Sequence, residues 1–458
     1  MTAPASASFL ERTFKLKTLG TNPRTEVLAG TTIFFTCVYI AAVNPAILSA
    51  AGMDAKAVFW ATVLGSAISC IWMGLWVNVP FALCPSMGLN AYFAYYMVNT
   101  LGLSWQNALG CVFISGVFFI ILSFLNVQQK IVDAIPDCIK QSLGAGIGFF
   151  ITFTGLDQAG IIAASPDTLL TLGDLRNPGA LLALFGIAFT AVLVIRKIKG
   201  AILIGILVVT AIGIFVTDPV TGNAYTQIPK SLISFDNPVT ALAPTFMKLS
   251  FKDMFTGAPV VVMGAVFSIV SFLFVDLFNS IGGLLGVATR AGMVDENGNL
   301  PCAGRALLVS AGGAAAGAVL GTNTITIYCA ESSTGISEGG RSGMTACTCG
   351  ILFLLTLVFS PIFLMIPAVA TAPALIMVGI FMIEPLRHLQ LDDVSIAMPV
   401  FFTVAFMPFS YNISYGMLFG LLSYTLGQVA AGKARQISRT LWILTFIFTV
   451  YFILDILL

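Results

Sequence analysis

Asp276 sits in FSIVSFLFVDLFNSIGGLLGV and Glu331 in GTNTITIYCAESSTGISEGGRSG, two carboxylates among neighbours suited to hydrocarbon. An aspartate at the centre of a membrane helix costs about 2.5–3.5 kcal/mol on an insertion scale, so each acid is a functional candidate by default. Asn279 follows Asp276 by one turn, on the same helical face. Asn90 lies in PSMGLNAYF, and Thr324 and Tyr328 share the polar stretch of Glu331. A carboxylate in a dry cavity can hold a proton or release it as water enters, which couples solute movement to a proton gradient. A second carboxylate that stays ionised accepts N–H donors from a heterocycle. Asp276 and Glu331 are therefore the candidates for proton coupling, with H+ as the coupling ion. The candidate substrate-binding set is Asn90, Asp276, Asn279, Thr324, Tyr328 and Glu331.

Other polar residues carry less chemistry. Asp157, in FTGLDQAG, falls near the end of an apolar run, where water reaches it. Asn44–Pro45 interrupts the first run, as a packing kink or a ligand contact. Tyr92, Phe93 and Tyr95 read as core, with one of them free to stack on a flat ligand. The single histidine, His388, lies in a charged loop, which excludes a histidine-based triad or a histidine-rich metal site. The nine cysteines are scattered, mostly within apolar runs, and read as small buried hydrophobes. No catalytic residue, metal or cofactor is expected.

The elements that must hold these residues are membrane helices. Hydrophobic residues make up 58% of the 458 and charged residues 9%, with a mean hydropathy of +0.98; a soluble domain carries about 25% charged residues. Apolar runs long enough to cross roughly 30 Å of hydrocarbon recur from residue 25 onward. The spacing predicts spans at 25–50, 55–79, 81–100, 104–126, 139–162, 178–195 and 200–217. After a polar stretch at 218–258, further spans are predicted at 259–289, 303–320, 322–338, 341–361, 363–386, 391–408 and 412–431. A last apolar segment, 438–458, reads either as a further span or as a helix lying along the bilayer. Lys and Arg fall in alternate loops (Lys130 and Lys140; Arg196, Lys197 and Lys199; Arg290 and Arg305; Arg341; Arg387; Lys433, Arg435 and Arg439), which places both termini inside. The N-terminal residues lack the apolar core of a signal peptide.

Fourteen spans divided by one long loop imply two halves of seven in opposite orientation, the arrangement that brings substrate to interrupted helices at mid-bilayer. Span 3 opens VPFALCPSMGLNAYF and span 10 opens GTNTITIYCAESSTG; both are third in their half. Residues 322–327 read as a short extended piece before a half-helix that carries Glu331. Non-helical backbone at that depth is tolerated only where protein or a water-filled cavity satisfies it. Half-helix starts offer free N–H groups and a partial positive charge, so the regions Pro85–Asn90 and Tyr328–Ser332 are expected to border one polar pocket for a small planar molecule.

The motifs LAGTTIFFTCVYIAAVNPAIL, PSMGLNAYFAY, FVDLFNSIGGLLGVATRAGMVDENGNLP, LGTNTITIY, GGRSGMTA, ATAPALIMVG and MPFSYNISYGMLFGLLSY occur in order along nearly the whole chain. They resemble the AzgA-like purine permeases, a branch of the nucleobase–cation symporter-2 (nucleobase–ascorbate transporter) family. The resemblance implies an all-α polytopic membrane protein of 14 transmembrane segments arranged as a 7+7 inverted repeat, with short strands in spans 3 and 10. It implies a core domain of 25–126 and 259–361 and a gate domain of 139–217 and 363–431; the charge pattern makes 1–24 a cytoplasmic N-terminus and 218–258 an extracytoplasmic linker. By position, the family's binding asparagine matches Asn90, its span-8 carboxylate Asp276 and its span-10 glutamate Glu331. Two positions depart from the family pattern. A second aspartate is usual where Asn279 stands, and one residue usually separates Tyr from Glu where Cys329 and Ala330 stand. One added residue turns a helical side chain by about 100°, so either the strand-to-helix join absorbs it or Glu331 faces elsewhere.

The expectation is a multi-pass symporter of the cytoplasmic membrane that imports hypoxanthine, guanine or adenine with protons by alternating access. The resemblance adds a homodimer as a partner state; a net charge of +1 with no basic tract gives no expectation of nucleic acid. The alternative is an uncoupled facilitator, or a symporter for xanthine or uracil. With no metal-ligand cluster and no soluble catalytic domain, an enzyme is not expected.

Overall fold

A computed structural model describes residues 9–125, 135–252, 254, 259–294 and 300–457; Lys130 and the first eight residues of the N-terminal segment lie outside them. Eight helices among the described residues are long and apolar enough to cross a membrane: Pro23–Ser49, Ala55–Val77, Trp105–Phe124, Pro178–Ile195, Val261–Ile281, Ala303–Leu320, Gly343–Leu364 and Ala368–Arg387. The other six predicted spans occupy Asp137–Gln158, Ala201–Gly213, Val394–Phe409, Ile413–Ala430 and two strand-plus-helix units, Ala82–Thr100 and Ile325–Ser337. Short polar side chains set where several helices begin. Asn22, Asp54, Asn177, Ser342, Asp393 and Asn412 each accept a hydrogen bond from a backbone N–H two or three residues on, which satisfies an orphan donor of the first turn.

Span 1 breaks earlier than expected. Pro45 lies inside the helix Ile40–Ser49, and the discontinuity falls at Val38–Tyr39. There the N–H groups of Ala41 and Ala42 bond back only three residues, to Val38 and Tyr39, which tightens the turn. Asn44 acts as a link between helices: its amide donates to Thr62 Oγ1 at 2.5 Å and to Thr322 Oγ1 at 2.7 Å.

The two interrupted spans meet in the middle of the molecule. Ala82–Pro85 and Ile325–Tyr328 form an antiparallel pair with Ala82 opposite Tyr328 and Pro85 opposite Ile325. All eight residues are buried, and Ser86 N–H extends the pairing to Thr324 O at 3.0 Å. This pairing satisfies backbone groups that lipid could not. The first strand leads into Met87–Ala91, which continues as a π-helical stretch, Tyr92–Thr100; the second leads into Cys329–Ser337. Gly321, at φ +90°, ends span 9 and turns the chain into the second strand.

Spans 1, 2 and 11 pack together, and span 4 packs on spans 8 and 9; separately, span 5 packs on 12 and 13, and spans 6 and 7 on 12. Residues 225–250 of the polar stretch touch both groups. Tyr225 donates to Asn177 Oδ1 at 3.1 Å beside span 6, while Ser234, Met247 and Ser250 N–H groups bond to Val358, Val319 and Gln106 carbonyls of spans 11, 9 and 4. Lys56 also pairs with Asp236 of this stretch at 2.8 Å, and that hydrogen bond holds the Asp236 carboxyl below the usual carboxylate range. The last apolar segment is a helix, Arg439–Leu457, packed on spans 8 and 14: Phe448 meets Phe267 edge-on at 5.1 Å, and Phe452 meets Phe419 at 5.4 Å.

A carboxylate outside the candidate set organises the start of span 11. Glu26 is fully buried and accepts from Arg341 N–H, Ser342 N–H, Ser342 Oγ and Thr345 Oγ1 at 2.6–3.2 Å. Beside it Gly343 crosses Gly74 so closely that a Cβ on Gly343 would lie 1.9 Å from the Gly74 carbonyl oxygen. The GGRSG motif is thus a backbone crossing held by Glu26. Glu26→Ala is expected to lower stability by at least about 1.5–3 kcal/mol, the range for one hydrogen bond to a charged group. The readout is the unfolding midpoint of purified protein in detergent; an unmoved midpoint would contradict the role.

Candidate functional site

Both half-helix starts border one hollow of about 210 Å³. One wall carries Ser86 and Gly88 from span 3, Asn279 from span 8, and Thr326 with Tyr328–Glu331 from span 10; the other carries Ile147 and Ile151 of span 5 with Val378, Phe381 and Met382 of span 12. The volume lies below the about 300–1,000 Å³ of pockets for drug-sized ligands, and suits a single small ring system. The walls approach so closely that a Cβ on Gly88 would lie 2.2 Å from Ile147 Cγ2. Ala330, Glu331 and Phe381 also border a larger hollow of about 740 Å³, lined by Lys197, Lys199 and Arg387 on the side of the basic loops. Glu331 stands where the two hollows meet.

The helix Cys329–Ser337 begins directly after the strand, which puts Glu331 in its first turn and on the hollow despite the added residue. Its Oε1 accepts from Tyr39 Oη at 3.1 Å. Ser332 anchors the join, receiving Ala82 N–H at 3.0 Å and donating to the Tyr328 carbonyl. Tyr328 borders the hollow with its ring, while its hydroxyl crosses the strand pair to donate to Pro85 O at 2.6 Å.

Asp276 and Asn279 share a helix face but not a surroundings. Asn279 is half-buried on the hollow; Asp276 is buried and borders neither hollow. Thr324 Oγ1 donates to Asp276 Oδ2 at 2.6 Å, and Oδ1 has no hydrogen-bond partner among the described residues. Thr324 N–H in turn donates to Asn323 Oδ1 at 2.7 Å. Asp276 is therefore fastened to the residue that opens the second strand, and Thr324 likewise stands behind the hollow. Asn90 is fully buried in the span-3 half-helix, and both its amide atoms are without partners among the described residues. A buried polar group left unpaired costs about 1–3 kcal/mol, so Asn90 and Asp276 Oδ1 are costs concentrated around the strand pair.

The aromatics after Asn90 form contacts between helices. Tyr92 Oη lies 3.1 Å from both Ser268 Oγ and Ser414 Oγ, Phe93 is buried, and Tyr95 accepts from Gln158. Asp157 is exposed, 3.5 Å from the hydroxyl of Tyr411. Sequence reasoning missed Tyr39, Ser332 and the apolar wall of Ile147, Ile151 and Phe381. The small hydroxyl at 332 was visible within the broken stretch; Tyr39 and the wall residues are ordinary members of apolar runs.

Known proteins resemble this chain throughout. The profile of the Permease family (Xan_ur_permease) matches residues 24–419. Guanine/hypoxanthine permease PbuG of Bacillus subtilis is 42% identical over 96% of this chain and 98% of its own length. Adenine permease AdeP of Escherichia coli is 39% identical over 98% of this chain and 96% of its own. The nucleobase transporter PlAzg2 of Paenibacillus larvae is 33% identical over 93% and 80%. Among solved structures, the transmembrane domain of a cyanobacterial bicarbonate transporter, BicA, superposes with a TM-score of 0.58 at 15% identity, over 89% of this chain and 97% of that one. Murine Slc26a9, an anion transporter, gives 0.58 at 12% identity over 94% and 73%. These two share the fold, fourteen spans as two inverted repeats of seven.

Proposed function

Because the chain belongs to this permease family, the nucleobase–ascorbate transporters, we propose that it is a proton-coupled symporter that imports purine nucleobases of the hypoxanthine, guanine and adenine class. It is a multi-pass membrane transporter and not an enzyme, and permeases named for purines match it over nearly its whole length. The observation that carries the finer reading is the small hollow between two half-helix starts, with Glu331 and Asn279 on its wall and Asp276 fastened behind it. In this reading the ring system lies against the span-3 and span-10 half-helices and Glu331 accepts its N–H donors; Asn90, with its unpaired amide, borders neither hollow. Asp276 carries the proton and communicates with the site through Thr324.

Transport follows if the group 25–126 with 259–361, the core, shifts against the group 139–217 with 363–431, the gate. The separate packing of these helices and the apolar gate wall opposite Glu331 support that division. The larger hollow then serves as the path toward the basic-loop face, which the charge pattern assigns to the cytoplasm.

The test is a competition series against labelled hypoxanthine in proteoliposomes with guanine, adenine, xanthine and uracil, with and without a collapsed proton gradient. Purines are expected to compete, and accumulation is expected to disappear with the gradient. Uptake undiminished by collapse identifies an uncoupled facilitator; competition by uracil or xanthine alone removes the assignment to the hypoxanthine, guanine and adenine class.

A further inference from the structure

Glu331 has, among the described residues, one side-chain donor, and it arrives from 292 positions away in sequence. Tyr39 Oη donates to Glu331 Oε1 at 3.1 Å. Tyr39 is completely buried and borders neither hollow, so any influence it has on a ligand passes through that carboxylate. Its location depends on the break in span 1: the tightened turn at Val38–Tyr39 separates the helices Pro23–Cys37 and Ile40–Ser49 at the level of the span-10 half-helix. One turn earlier, Thr36 Oγ1 lies 3.4 Å from Thr334 Oγ1, so the two segments are joined at two successive points. A glutamate side chain has three rotatable bonds, and a single hydrogen bond at one oxygen removes most of the freedom of the last.

We propose that Tyr39 is a positioning residue that sets nucleobase preference by fixing the plane of the Glu331 carboxylate at the edge of the small hollow. The proposal rests on the reading of Glu331 as a ligand for the base. With Oε1 committed to Tyr39, Oε2 is the oxygen without a side-chain donor. A ring that presents its N–H in that plane is favoured over one that presents an acceptor there. Hypoxanthine, with a ring N1–H, and adenine, with an N1 acceptor and an exocyclic amine, differ in this respect. Without the tether the carboxylate swings to accommodate either edge, and the preference shrinks.

The experiment is a double-mutant cycle on purified full-length protein, with hypoxanthine and adenine as separate probes in equilibrium binding. Tyr39→Phe keeps the ring that packs in the core and removes only the hydroxyl, so the ligand-free unfolding midpoint is expected to stay within a few degrees. Loss of one hydrogen bond is expected to weaken the preferred base roughly 2- to 12-fold and to move the affinity ratio of the two bases toward one. In Y39F/E331Q the loss is expected to match that of E331Q alone, because Tyr39 acts on the base only through the charged carboxylate, which the amide no longer supplies. Multiplying losses, an unchanged ratio, or unchanged binding in Y39F would each overturn the proposal, since a general packing role predicts those outcomes. If E331Q alone leaves binding intact, the assignment of Glu331 to the ligand fails first, and the role of Tyr39 with it; loss in E331Q with an additive Y39F sinks only the positioning role.

Discussion

Asp276→Asn is expected to abolish gradient-driven accumulation of labelled hypoxanthine, leaving inside and outside concentrations equal, while the protein stays folded. The substitution keeps an oxygen of the same shape, so Thr324 Oγ1, now 2.6 Å from Asp276 Oδ2, retains an acceptor and the start of the second strand stays in place. What disappears is the capacity to gain and lose a proton. Among the described residues no cation pairs with Asp276, and it lies out of contact with both hollows, so a contribution to direct ligand contact does not account for its placement. A buried acid without a counter-charge is costly, which makes it a functional candidate. Exchange of labelled for unlabelled base, which needs no net proton movement, is expected to persist in the variant. Concentrative uptake at the native level would remove Asp276 from the coupling mechanism.

Glu331→Gln is expected to weaken base binding by about 1.5–3 kcal/mol, the range for a hydrogen bond to a charged group, or roughly 10- to 150-fold in Kd. Glutamine still offers Tyr39 a carbonyl acceptor and occupies the same volume, so the hollow of about 210 Å³ keeps its shape. The loss therefore reports on the negative charge and on acceptor capacity at the second oxygen, where an amide now places donors toward the N–H groups of the base. Titration of purified protein with hypoxanthine reads it directly. Equal affinities for the two proteins would mean that this carboxylate, although on the wall, does not touch the ligand.

These two acids illustrate how far a linear reading reaches. Both were visible because a charge in an apolar run stands out at any position, whatever the fold. Their surroundings separated only in three dimensions. Asp276 and Asn279 are one turn apart and equivalent to any periodicity argument, but the strand Ile325–Tyr328 lies over one and leaves the other on the hollow. The added residue before Glu331 left two orientations open, and the choice came from where the helix begins, directly at Cys329. Glu26 went unnoticed because a carboxylate in the first turn of a helix is ordinarily solvated, and here residues 341–345, distant in sequence, fold onto it.

By itself the sequence determined the class of protein, the number and approximate bounds of its spans, and the two places where helix gives way to extended chain. Those properties follow from local hydropathy and backbone preference, which a bilayer enforces strictly because lipid offers no hydrogen bonds. Tertiary structure decided the register of Ala82–Pro85 against Ile325–Tyr328, the break of span 1 at Tyr39 ahead of Pro45, and the apolar wall supplied by spans 5 and 12. Each of these depends on contacts between segments hundreds of residues apart, and in a chain this uniformly apolar no local pattern distinguishes a residue that faces lipid from one that closes on a ligand.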